Sequence, residues 1–302
     1  MLRYIITLAL TSVSTAAMAA PPKVVTDIPP VFGLVSMVMG DLGQPDLLVE
    51  PGSDGHDFQL RPSQAATLAE ADLLVWVGPE MTPWLDRAAS GLAENATQLR
   101  LLEQAGTFQL GYAVAEAGGH DHNDHDGHDH SGTDPHAWLD PDNAVVWVNA
   151  IAQALAAKDP ENSATYLANA QTAATTIATV DAALASQLAA LKDRPFLVYH
   201  DAYHYFARHY GLALAGSIAL GDATTPGAGH LSELRETGIA KSVVCIFPEA
   251  NHDAALIGPI VEGTSIKIGK PLDPEGASLA ISPTVWQDIL ENLSASLQDC
   301  LS

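Results

Sequence analysis

Short apolar runs alternate along this chain with longer segments in which apolar residues recur at helical spacing. That pattern predicts an α/β fold built on parallel β-sheets flanked by helices. In the first half the runs are 24–26, 46–49, 73–77 and 98–102, with helices predicted over 31–39 and 62–70. Pro62 and Ser63 after Arg61 make a start signal, because a proline in the first turn gives up only an N–H that has no intrahelical acceptor. The second half repeats the scheme, with strands predicted at 196–199, 213–218, 243–247 and 265–268 and helices at 203–210, 231–240 and 253–262.

Between the halves the pattern changes. From 160 to 192 there is no glycine and no proline after Pro160, and alanine dominates. This predicts one helix of about thirty residues, roughly 45 Å long at 1.5 Å per residue. It is too long for an ordinary crossover and reads as a single backbone helix joining two lobes. The expected organisation is a signal peptide over 1–19, a first lobe over 20–158, a linking helix over 159–193 and a second lobe over 194–302.

Two segments stand outside this scheme. At the N-terminus, Arg3 precedes an apolar stretch that ends in Ala17-Met18-Ala19, the form of a secretory signal cleaved after Ala19. Thr11, Ser12, Ser14 and Thr15 interrupt it, and no later run reaches ~18 uninterrupted apolar residues, so the mature chain is expected to be soluble. The second segment, 118–132, holds His120, His122, His125, His128 and His130 among glycine and aspartate. Its composition predicts a loop, and its imidazoles predict metal binding, without saying whether the metal is cargo, cofactor or contaminant.

Composition narrows the classes. The net charge is −23 with histidines neutral. Such a surface repels nucleic acid and draws cations toward any cleft with low-dielectric walls, although solubility alone also accounts for it. The two cysteines are Cys245, in the apolar run 243–247, and Cys300, two residues from the end. Export would permit a disulfide between them, and two buried thiols are the alternative.

Seven histidines lie outside the tract. His56, His136 and His200 sit where loops meet strand or helix ends, the edge at which open α/β sheets bind ligands. Three imidazoles converging there suit zinc better than oxygen-loving manganese or magnesium. His204, four residues after His200, reads as packing, and His209, His230 and His252 as surface or packing residues. No G-x-S-x-G, P-loop, G-x-G-x-x-G or C-x-x-C is present. An exported zinc hydrolase with an open coordination position stays as a competing class, with Glu249 its one arguable base.

These residues carry a family resemblance. Gly55-His56-Asp57-Phe58-Gln59-Leu60-Arg61-Pro62-Ser63, Asp134-Pro135-His136-Ala137-Trp138-Leu139-Asp140-Pro141, Tyr199-His200-Asp201-Ala202-Tyr203, Phe247-Pro248-Glu249 and Leu272-Asp273-Pro274 occur in this order. The whole mature chain resembles the solute-binding proteins of ABC transporters that import zinc and manganese, and is most similar to the zinc-uptake type. The resemblance implies a non-enzymatic periplasmic receptor, a monomer, that carries Zn(II) to a membrane permease. The metal would lie in the cleft between the lobes, held by His56, His136 and His200. Asp273 matches an aspartate that serves as fourth ligand in some relatives, with water as the alternative. Gly55 stands where some zinc-type relatives have a glutamate. Histidine at 200, where manganese-binding relatives have a carboxylate, favours zinc over manganese or iron as cargo. The resemblance also implies a Cys245–Cys300 disulfide, an accessory role for the histidine tract, and a zinc chaperone as an open further partner.

Overall fold

The computed structural model describes residues 20–111, 132–219, 226–250 and 252–302. The expected signal peptide and the five histidines of the tract lie outside the described residues. Two parallel four-stranded sheets carry the fold. The first has the order β2-β1-β3-β4, from β1 (Val24–Thr26), β2 (Asp46–Leu47), β3 (Leu73–Trp76) and β4 (Thr97–Arg100). The second has the order β6-β5-β7-β8, from β5 (Phe196–His200), β6 (Leu214–Ala219), β7 (Cys245–Phe247) and β8 (Lys267–Ile268). In each sheet the first strand in the chain lies inside, and β1, β3 and β7 are buried at every position. Strands covered on both faces read as unbroken apolar runs, which is why they stood out in the sequence.

The helices connecting the first sheet are α1 (Pro29–Met39), α2 (Pro62–Ala69) and α3 (Pro83–Leu92), and α4 (Pro141–Lys158) follows it. Asp140 caps α4 by accepting the Asp142 N–H at 3.0 Å. The long helix is α5 (Ser163–Leu188), continued at both ends by short 3-10 turns. One stripe of it is buried, formed by Tyr166, Ala170, Ala173, Ile177, Val180, Leu184 and Leu188. That stripe packs on α4, on α1 and on the C-terminal helix. By length and composition alone α5 and its flanking turns would suit a membrane crossing. Its other faces carry threonines 172, 175, 176 and 179, whose hydroxyls bond back to carbonyls one turn earlier.

After β5 come α6 (His204–Tyr210), α7 (Ala228–Ala240), α8 (Ile257–Val261) and α9 (Val285–Leu301). The helix expected over 253–262 is broken into a 3-10 turn and the five residues of α8. Helices α3 and α9 were not anticipated. Although α9 follows the second sheet in the chain, it packs against α1 and α5. The approach to α1 is close: a Cβ at Gly33 would stand 2.9 Å from the Trp286 backbone nitrogen. The Cys245–Cys300 disulfide ties β7 to the end of α9, as expected.

Closing a loop of 55 residues limits the disulfide's chain-entropy contribution to about 4 kcal/mol. A Cys245→Ala/Cys300→Ser variant is expected to lose about 2–4 kcal/mol in urea unfolding. An unchanged unfolding midpoint would show that the packing of α9 needs no such tie.

A second cross-tie is ionic. His209 on α6 bonds Asp140 at 3.0 Å through Nδ1 and Asp181 of α5 at 2.8 Å through Nε2, with Asp142 further off at 4.0 Å. The Asp140 hydrogen bond, joined by Asp181 and opposed by burial, lifts the imidazole from its ordinary 6.5 to about 9. A raised pKa means the folded state holds the proton more tightly than the unfolded chain does. The stabilisation is therefore full below pH 6.5 and disappears as pH rises through about 9. Unfolding free energy measured between pH 6.5 and 9.5 should fall for the native chain and fall less for His209→Gln.

Candidate metal centre

His56 lies in the loop after β2, and its N–H donates to Asp54 Oδ1 at 2.8 Å. The preceding Gly55 is fixed from both sides. Its carbonyl accepts the Trp84 indole N–H at 2.8 Å and its N–H donates to Glu275 Oε2 at 3.2 Å. His136 precedes a 3-10 turn, Ala137–Leu139, that leads into α4. That turn is clamped from beyond β8, since Trp138 Nε1 donates to the Pro274 carbonyl at 2.8 Å and Trp286 Nε1 to the Trp138 carbonyl at 2.9 Å. His200 is the last residue of β5, at the carboxyl edge of its sheet.

The structure brings these three histidines together. Ring centroids are 5.4 Å apart for His56 and His136, 5.8 Å for His56 and His200, and 4.9 Å for His136 and His200. One ligand atom from each lies within 4.8 Å of the other two. Carboxylates orient two of them, His136 and His200. Asp134 Oδ1 lies 2.8 Å from His136 Nδ1 and also accepts the His136 backbone N–H at 3.0 Å. With Asp134 accepting from Nδ1, Nε2 is left as the nitrogen able to coordinate a metal. That Nε2 is buried and meets no hydrogen-bond partner among the described residues. Glu249 does the same for His200, with Oε1 at 3.3 Å from Nδ1, and is itself anchored by the Tyr203 hydroxyl at 2.7 Å and by His252 at 3.4 Å. Burial would raise the Glu249 pKa, but the His200 charge and these hydrogen bonds outweigh it and hold the carboxyl near 2.

Asp273, the expected fourth donor, is not part of this cluster. Its Oδ1 accepts the Ala277 N–H at 2.9 Å, and its Oδ2 accepts the Ser278 N–H at 2.8 Å together with the Ser278 hydroxyl. It acts as the hub of a turn. Glu275, which was not anticipated and also lies outside the cluster, stands with Oε1 at 3.9 Å from His56 Nε2. Burial foremost, with Asp54 and Glu249 adding to it and His200 opposing, pushes this carboxyl up to about 8. Beside the site a small cleft is lined by Ser53, Asp54, Glu249, His252, Asp273 and Glu275 among others. Its acidic rim favours cations.

The other histidines are used elsewhere. His204 pairs with Asp201 at 2.8 Å, His230 reaches the Ser217 carbonyl at 3.0 Å, and His252 stacks on Tyr199. Three clustered imidazoles, with a carboxylate 3.9 Å from one of them, make a nitrogen-rich donor set of the kind that suits a borderline-soft divalent ion.

The family model for ZnuA, the zinc-uptake complex component A, periplasmic, matches residues 24–300. The high-affinity zinc uptake system protein ZnuA of Paracoccus denitrificans is 45% identical over 97% of this chain and 96% of its own length. A solved ZnuA deletion mutant with zinc bound has a TM-score of 0.76 at 25% identity, covering 93% of this chain and 98% of that one. The Pseudomonas aeruginosa solute-binding protein FpvC, in complex with Mn2+, has a TM-score of 0.78 at 20% identity, covering 93% and 98%, a likeness of fold.

Asp134→Asn and Glu249→Gln should each weaken divalent-metal binding about 10- to 100-fold by freeing the ring they orient. Isothermal titration with Zn(II) or Co(II) measures this, and unchanged affinity in either variant would remove that carboxylate from the role.

Proposed function

This chain belongs to the family of periplasmic zinc-uptake complex component A proteins, and we propose on that premise that it is the receptor that captures Zn(II) and hands it to an ABC-type permease. The observation that carries the reading is the convergence of His56, His136 and His200 within ligand distance of a common point. Zinc here is cargo, and no bond in it is made or broken. The protein works in the periplasm after export through its N-terminal segment, and it works as a monomer, because one chain supplies every ligand.

The chemistry favours zinc over manganese or iron. Imidazole nitrogens match a borderline-soft ion, whereas Mn(II) prefers oxygen. Coordination requires the imidazoles unprotonated, so affinity falls as pH drops through the ordinary histidine range near ~6.5.

The histidine tract is a separate, weaker site. The described residues on either side of it meet in an antiparallel bridge, Gly111 with Thr133, and the Asp134 N–H donates to the Leu110 carbonyl at 2.8 Å. The described residues that flank it, Gly111 and Thr133, thus meet one residue from Asp134, which bonds His136. That position supports a role in gathering zinc near the mouth of the tight site, or in receiving it from a periplasmic chaperone.

In a chain lacking 118–132, one zinc per molecule should still bind tightly. His56→Ala, His136→Ala and His200→Ala made in that background should each weaken it by at least about 100-fold in competition with a chelator. Loss of tight binding on deleting the tract alone would move the primary site to the tract. Undiminished binding in a histidine variant would remove that residue, and preferential Mn(II) binding would change the cargo.

A further inference from the structure

The helix that follows His200 meets the first sheet's side of the molecule with one face. Tyr205, Arg208 and His209 of α6 are spaced so that they lie on the same side of the helix. His209 reaches Asp140, and the Arg208 guanidinium carbon stands 3.8 Å from the centre of the Phe108 ring. Asn143 of α4 holds Phe108 in turn. It accepts the Phe108 N–H at 2.7 Å and donates to the carbonyls of Phe108 and Ala137 at 2.9 and 3.1 Å. The Arg208 contact is thereby joined to the residue after His136.

Tyr205 goes further than either neighbour. It is fully buried, and its hydroxyl sits between Leu110 and Asp134, which oppose each other beside the Gly111–Thr133 bridge. Residues so placed in an antiparallel pair ordinarily exchange two backbone hydrogen bonds. One is direct here, from the Asp134 N–H to the Leu110 carbonyl at 2.8 Å. The Tyr205 hydroxyl takes the place of the other, accepting the Leu110 N–H at 2.8 Å and donating to the Asp134 carbonyl at 2.9 Å. Burial raises the phenol above its ordinary pKa of 10 against the pull of the Leu110 N–H, so the hydroxyl keeps the proton it donates. Asp134 is the residue whose carboxylate bonds both the ring and the backbone of His136.

We propose that Tyr205 is a positioning residue for the metal site: it sets the backbone of Asp134 and through it the ring of His136, so that α6 acts as a latch between the two sheets. The proposal rests on the zinc-receptor reading above and concerns the regulation of its site. The orientation of a histidine beside the first sheet then depends on the docking of the helix behind the second sheet's histidine. When the sheets part, α6 withdraws the hydroxyl. Leu110 and Asp134 close to a direct bond of about 2.9 Å, which displaces the Asp134 backbone and with it the carboxylate that holds His136. The ring loses its orientation as the site loses the donors of the other side, so release is steeper than the loss of those donors alone. The coupling is reciprocal, and bound metal that holds the sheets together strengthens the insertion.

The test is a double-mutant cycle on the zinc affinity of the full chain at one equivalent, by chelator competition. It compares the native protein, Tyr205→Phe, Asp134→Asn and the two together, with His136→Ala as reference. Phenylalanine keeps the ring and removes only the hydroxyl. Tyr205→Phe is expected to lose about tenfold in affinity alone and less than about twofold when Asp134→Asn is already present, because the hydroxyl acts through that carboxylate. Tyr166→Phe removes another buried hydroxyl, bonded to Asp159 at 2.9 Å, and is expected to bind zinc as the native chain does. Affinity of Tyr205→Phe within about twofold of native, equal losses with and without Asp134→Asn, or a matching loss in Tyr166→Phe would each overturn the proposal. A loss in His136→Ala leaves the receptor reading standing in all of these cases, whereas native affinity in His136→Ala overturns that reading. Should Tyr205→Phe fold poorly, hydrogen exchange of the Leu110 amide in the native chain decides. Slower exchange with one equivalent of zinc supports the latch, and unchanged exchange refutes it.

Discussion

The site depends on two imidazole–carboxylate hydrogen bonds. Asp134 holds His136 and Glu249 holds His200, each on Nδ1, which leaves Nε2 as the ring nitrogen that does not meet the carboxylate. An imidazole without such a partner rotates and exchanges tautomers, and three rotating rings would make a weak and unselective site. The rest of the fold serves to keep these pairs in register. Asp134 is fully buried and also bonds the backbone of the histidine it orients. Glu249 follows β7 in the sheet whose inner strand β5 ends in His200, and Tyr203 and His252 restrain it further.

Those pairs belong to different sheets, so the site also depends on how the sheets are joined. The joining is not left to one linker. Helix α5 packs on α1, on α4 and on α9, and α9 returns from the second sheet to lie on α1. Trp286 bonds the carbonyl of Trp138, and Trp138 bonds that of Pro274, a relay of two buried indoles between α9, the His136 turn and the segment after β8. The disulfide then fixes the end of α9 to β7. These ties come from the C-terminal residues, which makes the last helix a structural brace as much as a part of the second lobe.

Much of this was legible in the sequence, for identifiable reasons. Strands buried on both faces read as apolar runs, and every expected strand overlaps an observed one. The three histidines were found because each closes a loop at the edge of a strand or helix. What escaped notice was information held in space. Helix α3 buries only Leu85 and Ala89, too narrow a stripe to stand out. Helix α9 has apolar residues at helical spacing, Val285, Ile289, Leu293 and Leu297, but nothing in that spacing says it folds back onto α1. Asp273 carried the family motif and drew attention from Glu275, two residues on. Only the hydrogen bonds reveal that the first carboxylate gathers the Ala277 and Ser278 donors of a turn and that the second bonds Gly55 and stands 3.9 Å from His56.

The division of the histidines between the two sheets bears on release. His56 and His136 follow strands of the first sheet, whereas His200 ends β5 of the second. On the receptor reading proposed above, a dication held by donors from both sides would not leave by losing one of them cheaply, since the others would still enclose it. Parting the two sides by even a few ångströms would remove the donors of one side together. The acidic cleft, lined by Asp54 and Glu249 among others, would then face the departing ion as it would face an arriving one. The same division of ligands that would make capture tight would make delivery a matter of geometry, and a permease that separates the two sides would need no chemistry of its own to take the metal.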